Sequence, residues 1–414
     1  MKLTRVFAWM IFDSRGVPSI CAQITAGKYS AHAMVPSGAS TGQFEAVELR
    51  DQMEAFSGRG VSQAIKNIND IIAPKLIGQQ IKPIEIDRIL IDLDSTREKS
   101  KLGANALLAV SMASWRLAAV INNVDLCEYF DKPKEKKFPV PMVNIVNGGV
   151  HATNNLFIQE FMIVPDGYNS FSDALSAAVE VQMRLKSYLS SRNLPLLVGD
   201  EGGFSIDFSR AENVIELLLE MISQAGQSGK IHIALDCAAN EFYDDKNGYK
   251  AGVCGEWVSP SDWVQTLSRW INQYELISVE DPFADTDEQS WEQLTRDVGH
   301  QTMIVGDDLF VTQRSRLKMG MDLGLANAIL IKPNQIGTVL ETIECIALAK
   351  EKEWPFIISH RSGDTEDSWI ADFAVGMAAP FIKTGAVCRS ERVSKYNRLL
   401  TIEALSQVDA SISD

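Results

Sequence analysis

Three acidic residues, Asp236, Glu280 and Asp307, each close a short apolar run: Ile231 to Asp236, Leu276 to Glu280 and Met303 to Asp307. Three further runs close on bases, Ala328 to Lys332, Phe356 to His360 and Phe381 to Lys383. A trio of carboxylates without cysteine or histidine makes a hard oxygen site, suited to Mg2+ rather than zinc. Three uncompensated anions repel strongly, and a divalent cation is the simplest remedy. Lys332, after Ile329-Leu330-Ile331, is expected to be partly desolvated and beside cations, two effects that lower its pKa towards that of a usable base. A lysine snorkelling to solvent is the plainer reading of an isolated case. Glu201 lies in Val198-Gly199-Asp200-Glu201-Gly202-Gly203-Phe204. Glycines around two acids predict a tight turn with close backbone approach, from which an acid can protonate a leaving group. Pro36 to Gly42 is a hydroxyl-rich loop of a kind that acts as a lid, although surface loops of this composition are common.

Such side chains need a frame to bring them together. The six charged ends fall 23 to 44 residues apart, and segments with helical spacing lie between them: Ser261 to Asn272, Gln313 to Leu323, Thr338 to Lys350 and Glu366 to Met377. That alternation fits strand and helix units of a parallel sheet. A strand buried on both faces reads as a continuous apolar run, and barrel enzymes place their chemistry at the carboxyl ends of such strands. One charge there can simply mark the exit to solvent; six of complementary types favour a site. In a closed barrel the three carboxylates converge, and Lys332, His360 and Lys383 face them across the mouth. Upstream, Val6 to Phe12, Ser19 to Thr25 and Ala31 to Val35 read as strands and Lys101 to Asn122 as an Ala- and Leu-rich helix. The charged, proline-containing stretch Asp131 to Pro141 is the most linker-like in the chain. The expected fold class is α/β, with a smaller N-terminal α+β lid or capping lobe over residues 1–131 and a TIM-like β/α barrel over 132–414.

The composition narrows the function. With 414 residues, 46% hydrophobic and 22% charged, the chain has material for two lobes and a sizeable core. The formal charge is −15, and the longest basic cluster, Lys132 to Lys137, is broken by Pro133 and Glu135, so no nucleic acid partner is expected. An acidic chain that handles an anionic substrate needs metal ions or local bases to reverse the field at its site. Six cysteines without a CxxC pair read as reduced core thiols in a cytoplasmic protein. Polar Asp13-Ser14-Arg15 cuts short the only candidate leader, and no apolar run approaches the length of a membrane span.

Over nearly its whole length the chain resembles the enolases. The matching stretches are Asp13-Ser14-Arg15-Gly16, Val35 to Gly42, Lys99 to Ala106, Val146 to His151, Gln159 to Ile163 and Gly199 to Phe204, then Ser278 to Phe283, Gly306 to Leu309, Asn334 to Gly337, Ser359 to Gly363 and Lys383-Thr384-Gly385. Ser390-Glu391-Arg392 and Lys395-Tyr396-Asn397 also match. The resemblance implies a hydro-lyase, phosphopyruvate hydratase, that reversibly dehydrates 2-phosphoglycerate to phosphoenolpyruvate in glycolysis and gluconeogenesis. It implies two Mg2+ per site: Asp236, Glu280 and Asp307 as ligands of the first, and Ser40 joining a second bridged by substrate phosphate. Lys332 would remove the C2 proton, Glu201 would help hydroxide leave from C3, and Glu160 would support Glu201. Gln159 and Lys383 would address the substrate and its carboxylate, Arg361 and Ser362 the phosphate, with His151 and His360 closing the site. A lysine base with magnesium is a stated pattern of this superfamily. A phosphorylated small molecule as substrate and a homo-oligomer, a dimer or an octamer of dimers, are also implied, and so are barrel strands that open irregularly before Ile231.

Several positions depart from the family pattern. Val17 replaces an asparagine, Val150 and Thr153 flank His151 where serine and glycine are frequent, Gln313 stands for asparagine, Asp364 for glutamate and Val387 for proline. These changes keep open a divergent paralogue that dehydrates a related acid, such as a phosphonate-bearing one. A protein kept only for binding partners has no physical need of both Lys332 and Glu201.

Overall fold

The computed structural model describes residues 1–38, 42–130, 136–251 and 255–413. Ser40 with the centre of the expected lid, the expected boundary at 131/132 and Cys254 lie outside the described residues. The N-terminal lobe opens with an antiparallel meander of β1 (Arg5–Phe12), β2 (Pro18–Ala26) and β3 (Tyr29–Met34), close to the expected strands. The first turn is built by Asp13, whose carboxylate accepts the amides of Arg15 at 2.8 Å and Val17 at 2.9 Å, while Gly16 takes a φ of +68°. The helix Ala104–Asn122 covers β2 and β3. Contrary to the sequence expectation, this helix is long and apolar enough to cross a membrane; 83% of its apolar window is buried in the fold, which makes it a core helix.

Eight strands close the barrel: β4 (Val140–Asn147), β5 (Glu160–Val164), β6 (His232–Asp236), β9 (Ser278–Glu280), β10 (Met303–Gly306), β11 (Ala328–Ile331), β12 (Phe356–Ser359) and β13 (Phe381–Lys383). A hairpin, β7 (Tyr243–Asp244) and β8 (Gly248–Tyr249), stands outside it. All six runs expected from sequence are barrel strands. The irregular opening is explained by β5, which runs antiparallel to both β4 and β6 while the remaining pairs are parallel.

Met142, Met162, Val164, Ala234, Val305, Ala328, Leu330 and Ile357 pack as one small cluster. Their alternating neighbours Ile233, Val279, Ile329, Ile331, Ile358 and Ile382 belong to the larger core shared with the helices. Side chains alternate across a strand, so the first set fills the barrel interior. The same period carries the inward track to Asp236, Glu280, Asp307, Lys332, Arg361 and Lys383. Because β5 is reversed, the first of its residues, Glu160, meets Asp236 at the same end.

Side chains tie the lobes together. Asp367 of the barrel accepts Arg116 Nη1 at 3.0 Å and Nη2 at 2.6 Å and the amide of Met34 at 2.9 Å. Asp87 of the N-terminal lobe accepts Trp115 Nε1 at 3.0 Å and, across the seam, the amide of Leu340 at 2.9 Å in the first turn of the helix Val339–Glu351.

Candidate active site

The inward tracks end in a mouth lined by residues of both lobes. Lys383 reaches across it to Asp236 and Glu280, both at 2.8 Å, and to Glu160 at 3.1 Å. Lys332 pairs with Asp307. Rather than only facing the carboxylates, the two lysines lie among them, because a four-carbon stem spans the narrow opening. Arg361 pairs with Glu45 of the N-terminal lobe at 3.0 Å. All of these side chains are buried or nearly so.

The charges shift one another. Burial and Asp236 push Glu280 up to about 8 against the pull of Lys383. Burial would raise Asp307, but Lys332 and Arg361 hold it below its ordinary value. Burial depresses Lys332, yet Asp307 more than compensates and leaves it above the ordinary lysine range. The expectation of a lowered Lys332 is therefore corrected for this state: the nearest carboxylate outweighs burial and the flanking cations. Lys383 lies well above the usual range because Asp236, Glu160 and Glu280 overcome its desolvation.

Glu160 and Glu201 form the second centre. Burial and the charge of Glu201 raise Glu160, whereas His151, His360, Arg392 and Lys383 outweigh the burial of Glu201 and hold it low. Two close buried carboxyl groups ionise unequally, and here Glu160 is the one pushed towards its protonated form. The Nδ1 of His151 stands 3.6 Å and the Nε2 of His360 3.5 Å from Glu201 Oε1, and Asn144 donates to Oε2 at 3.1 Å. Arg392 Nη1 lies 2.6 Å from His360 Nδ1. An arginine can only donate, so that contact makes Nδ1 the acceptor and leaves the proton on Nε2, towards Glu201. Burial, against the pull of Glu201 and with the help of Arg392, lowers the His360 pKa well below the ordinary imidazole range. The glycine-flanked turn is as tight as expected: Gly202 has φ +88°, and a Cβ at Gly199 would stand 2.5 Å from the carbonyl of His151.

The donor chemistry fits a hard cation. Among the described residues Glu280 Oε1 is buried without a hydrogen-bond partner, as are Glu160 Oε2, Gln159 Oε1, His151 Nδ1 and His360 Nε2, so the mouth holds polar atoms that a polar ligand would satisfy. Carboxylate oxygens of Asp281, Asp307 and Asp308 lie within 4.8 Å of one another. Asp281 itself accepts the amides of Asp307 at 2.8 Å and Asp308 at 2.9 Å, which fixes the turn after β10. Buried acidic clusters of this kind are consistent with metal binding.

Of the residues singled out from sequence, His151, Gln159, Glu160, Glu201, Asp236, Asp307, Lys332, His360, Arg361, Ser362 and Lys383 line this one cavity, and Glu280 touches it through Lys383. Gln159 Nε2 donates to Asp236 at 3.3 Å. The expected lid is anchored beside the site, where Ser37 exchanges backbone hydrogen bonds of 2.7 and 2.9 Å with Gly363. Sequence reasoning missed Glu45, Asp281, Asp308, Asn144 and Arg392. The doublets Glu280-Asp281 and Asp307-Asp308 carried a signal, since the second acid of each follows a strand end. Glu45 carried none, because its role depends on the docking of a remote lobe.

Family models match nearly the whole chain. The one described as enolase, N-terminal domain, covers residues 3–130, and the one described as enolase, C-terminal TIM barrel domain, covers residues 135–411.

Proposed function

The chain belongs to the enolase family, whose members are hydro-lyases acting on a phosphorylated small molecule, and on that premise we propose that it interconverts 2-phosphoglycerate and phosphoenolpyruvate with magnesium. The observation that supports this most is the convergence of Lys332, the Glu160–Glu201 pair and the acidic cluster on one enclosed mouth. Asp236, Glu280 and Asp307 would hold one Mg2+, and Ser40 would join a second with the substrate. Magnesium, when bound, supplies positive charge where an already anionic carboxylate must take up more.

Lys332 takes the C2 proton. It is kept charged by Asp307; once that carboxylate is committed elsewhere, burial, Arg361 and Lys383 all act to lower its pKa. Lys383 neutralises the substrate carboxylate, and Gln159 orients the substrate. Glu201, held ionised in the resting site, takes up the proton of Glu160 next door and passes it to the departing hydroxyl. His151 and His360 close round Glu201, while Arg361 and Ser362 bind phosphate.

We read residues 1–131 as the capping domain and 132–414 as the catalytic barrel, in the cytoplasm, with no nucleic acid partner. Homo-oligomer formation is favoured by β1, the edge of its sheet, which exposes Phe7, Trp9, Met10 and Phe12. Formation of phosphoenolpyruvate from 2-phosphoglycerate, assayed with and without magnesium, tests the function. Absence of turnover on this substrate, with turnover on a phosphonate-bearing analogue, would favour the divergent reading that Val150, Thr153 and Asp364 motivate.

A further inference from the structure

Each of the three cations in the mouth is held by a resident carboxylate. The partners of Lys332 and Lys383 all have a part in the reading above; Glu45, the partner of Arg361, has none. Its side chain is only 6% exposed and grips the guanidinium at two points, Nη1 to Oε2 at 3.0 Å and Nη2 to Oε1 at 3.2 Å. Nη1 also donates to Asn334 at 3.2 Å. The loop that carries Glu45 is seated on the barrel by contacts of its own. Gln313 Nε2 donates to the carbonyl of Phe44 at 2.6 Å, the amide of Ala46 donates to the carbonyl of Gln335 at 2.8 Å, and the Arg316 guanidinium stands 3.7 Å over the Phe44 ring. Glu45 is therefore delivered to Arg361 by design of the lobe contact.

A guanidinium presents its donors in a rigid planar fork, and a phosphate recognised by arginine uses that same fork. Two anions cannot share it in a buried site without strong repulsion. Glu45 lines the cavity together with Arg361 and Ser362, so an anion that reaches this fork meets the Glu45 carboxylate there.

We propose that Glu45 is a stand-in for the substrate's phosphate. It keeps Arg361 charged and oriented in the resting site and yields the guanidinium when phosphate arrives. Glu45 is thus a positioning residue that also sets a threshold: a bound anion must outcompete a tethered carboxylate, which a doubly charged phosphate does and a free carboxylate does not. The inference rests on the reading of Arg361 as the phosphate residue.

The test is calorimetric titration of the full chain with inorganic phosphate in the presence of magnesium, alongside steady-state kinetics. Glu45→Gln is expected to tighten phosphate binding about tenfold, the factor lost when a binding-competent form is about one tenth populated. KM for 2-phosphoglycerate should fall while kcat does not rise, and Glu45→Asp, which keeps the charge, should move back towards the wild type. Unchanged or weaker phosphate binding by Glu45→Gln, with binding lost in Arg361→Ala, overturns the proposal and leaves the reading of Arg361 intact. Phosphate binding undiminished in Arg361→Ala overturns both. A structure of the unaltered chain with phosphate decides the matter without a variant: Glu45 withdrawn from Arg361 supports the exchange, and Glu45 still gripping it beside bound phosphate refutes it.

Discussion

The seam between the lobes and the mouth of the barrel both bury carboxylates, and they satisfy them in different ways. At the seam Asp367 receives four donors, two from Arg116 and the amides of Met34 and Trp369. Burial would raise its pKa, but Arg116, the Met34 amide and the charge of Lys395 hold it low. At the mouth the carboxylates share cations that have other tasks, and among the described residues Glu280 Oε1 and Glu160 Oε2 go without partners. A saturated carboxylate fixes two parts of the chain relative to each other. An undersaturated one costs stability and keeps capacity for a ligand, the usual exchange at functional sites.

The largest expected effects lie at the mouth. Lys332→Ala should lower turnover by about a thousandfold and abolish exchange of the substrate's C2 proton, with magnesium binding retained. Glu201→Gln should keep part of that exchange and lose dehydration, since only the leaving-group step is crippled. Wild-type exchange in Lys332→Ala would show that another group is the base. Loss of both steps in Glu201→Gln would dissolve the division of labour.

At the seam the expected effect is on stability. Asp367→Ala leaves the Arg116 charge without its partner and should cost about 3 kcal/mol in urea unfolding, with kcat/KM nearly unchanged. If it instead removed activity and spared stability, the contrast between the two regions would fail.

Asp87 sharpens the contrast, because it is a fully buried seam carboxylate with no cation paired to it among the described residues. Burial pushes its pKa from the ordinary 3.8 up to about 6, so the burden on the fold is full above about pH 6 and shrinks steadily as pH falls from there to the ordinary carboxylate value. Asp87→Asn should accordingly unfold at a higher temperature than the wild type near pH 8, by an amount worth about 1 kcal/mol or more. The advantage should shrink below about pH 6 and vanish only below about pH 4. A difference that does not vary with pH would mean that hydrogen bonding, not charge, sets the effect.

The smallest effect is expected in the His151 loop. Val150 is exposed, and β-branched residues at 150 and 153 restrict the backbone freedom that a closing loop uses. Val150→Ser with Thr153→Gly should raise kcat on 2-phosphoglycerate about twofold to fivefold, on the order of 1 kcal/mol or less. A slower double variant would mark the loop as tuned for other chemistry.

Much of this was legible along the chain. The runs ending at Asp236, Glu280, Asp307, Lys332, His360 and Lys383 are barrel strands whose boundaries were read within two residues. The reason is physical: a strand buried on both faces must be apolar throughout, and its period of two carries each terminal charge inward or outward. The tight glycines round Glu201 were local, and local chemistry is visible in sequence. The direction of β5 was not, because Glu160–Val164 has the same apolar pattern whichever way it runs. Nor was the pairing that raises Lys332, since the effect of Asp307 depends on a distance and not on a spacing. Sequence by itself therefore determined which residues form the strands and which chemical groups stand at their ends. Tertiary structure alone decided which groups meet: it reversed β5 to set Glu160 beside Asp236, and it docked a remote lobe to set Glu45 on Arg361. Contacts between segments far apart in the chain follow from how the whole surface packs, and no local pattern encodes them.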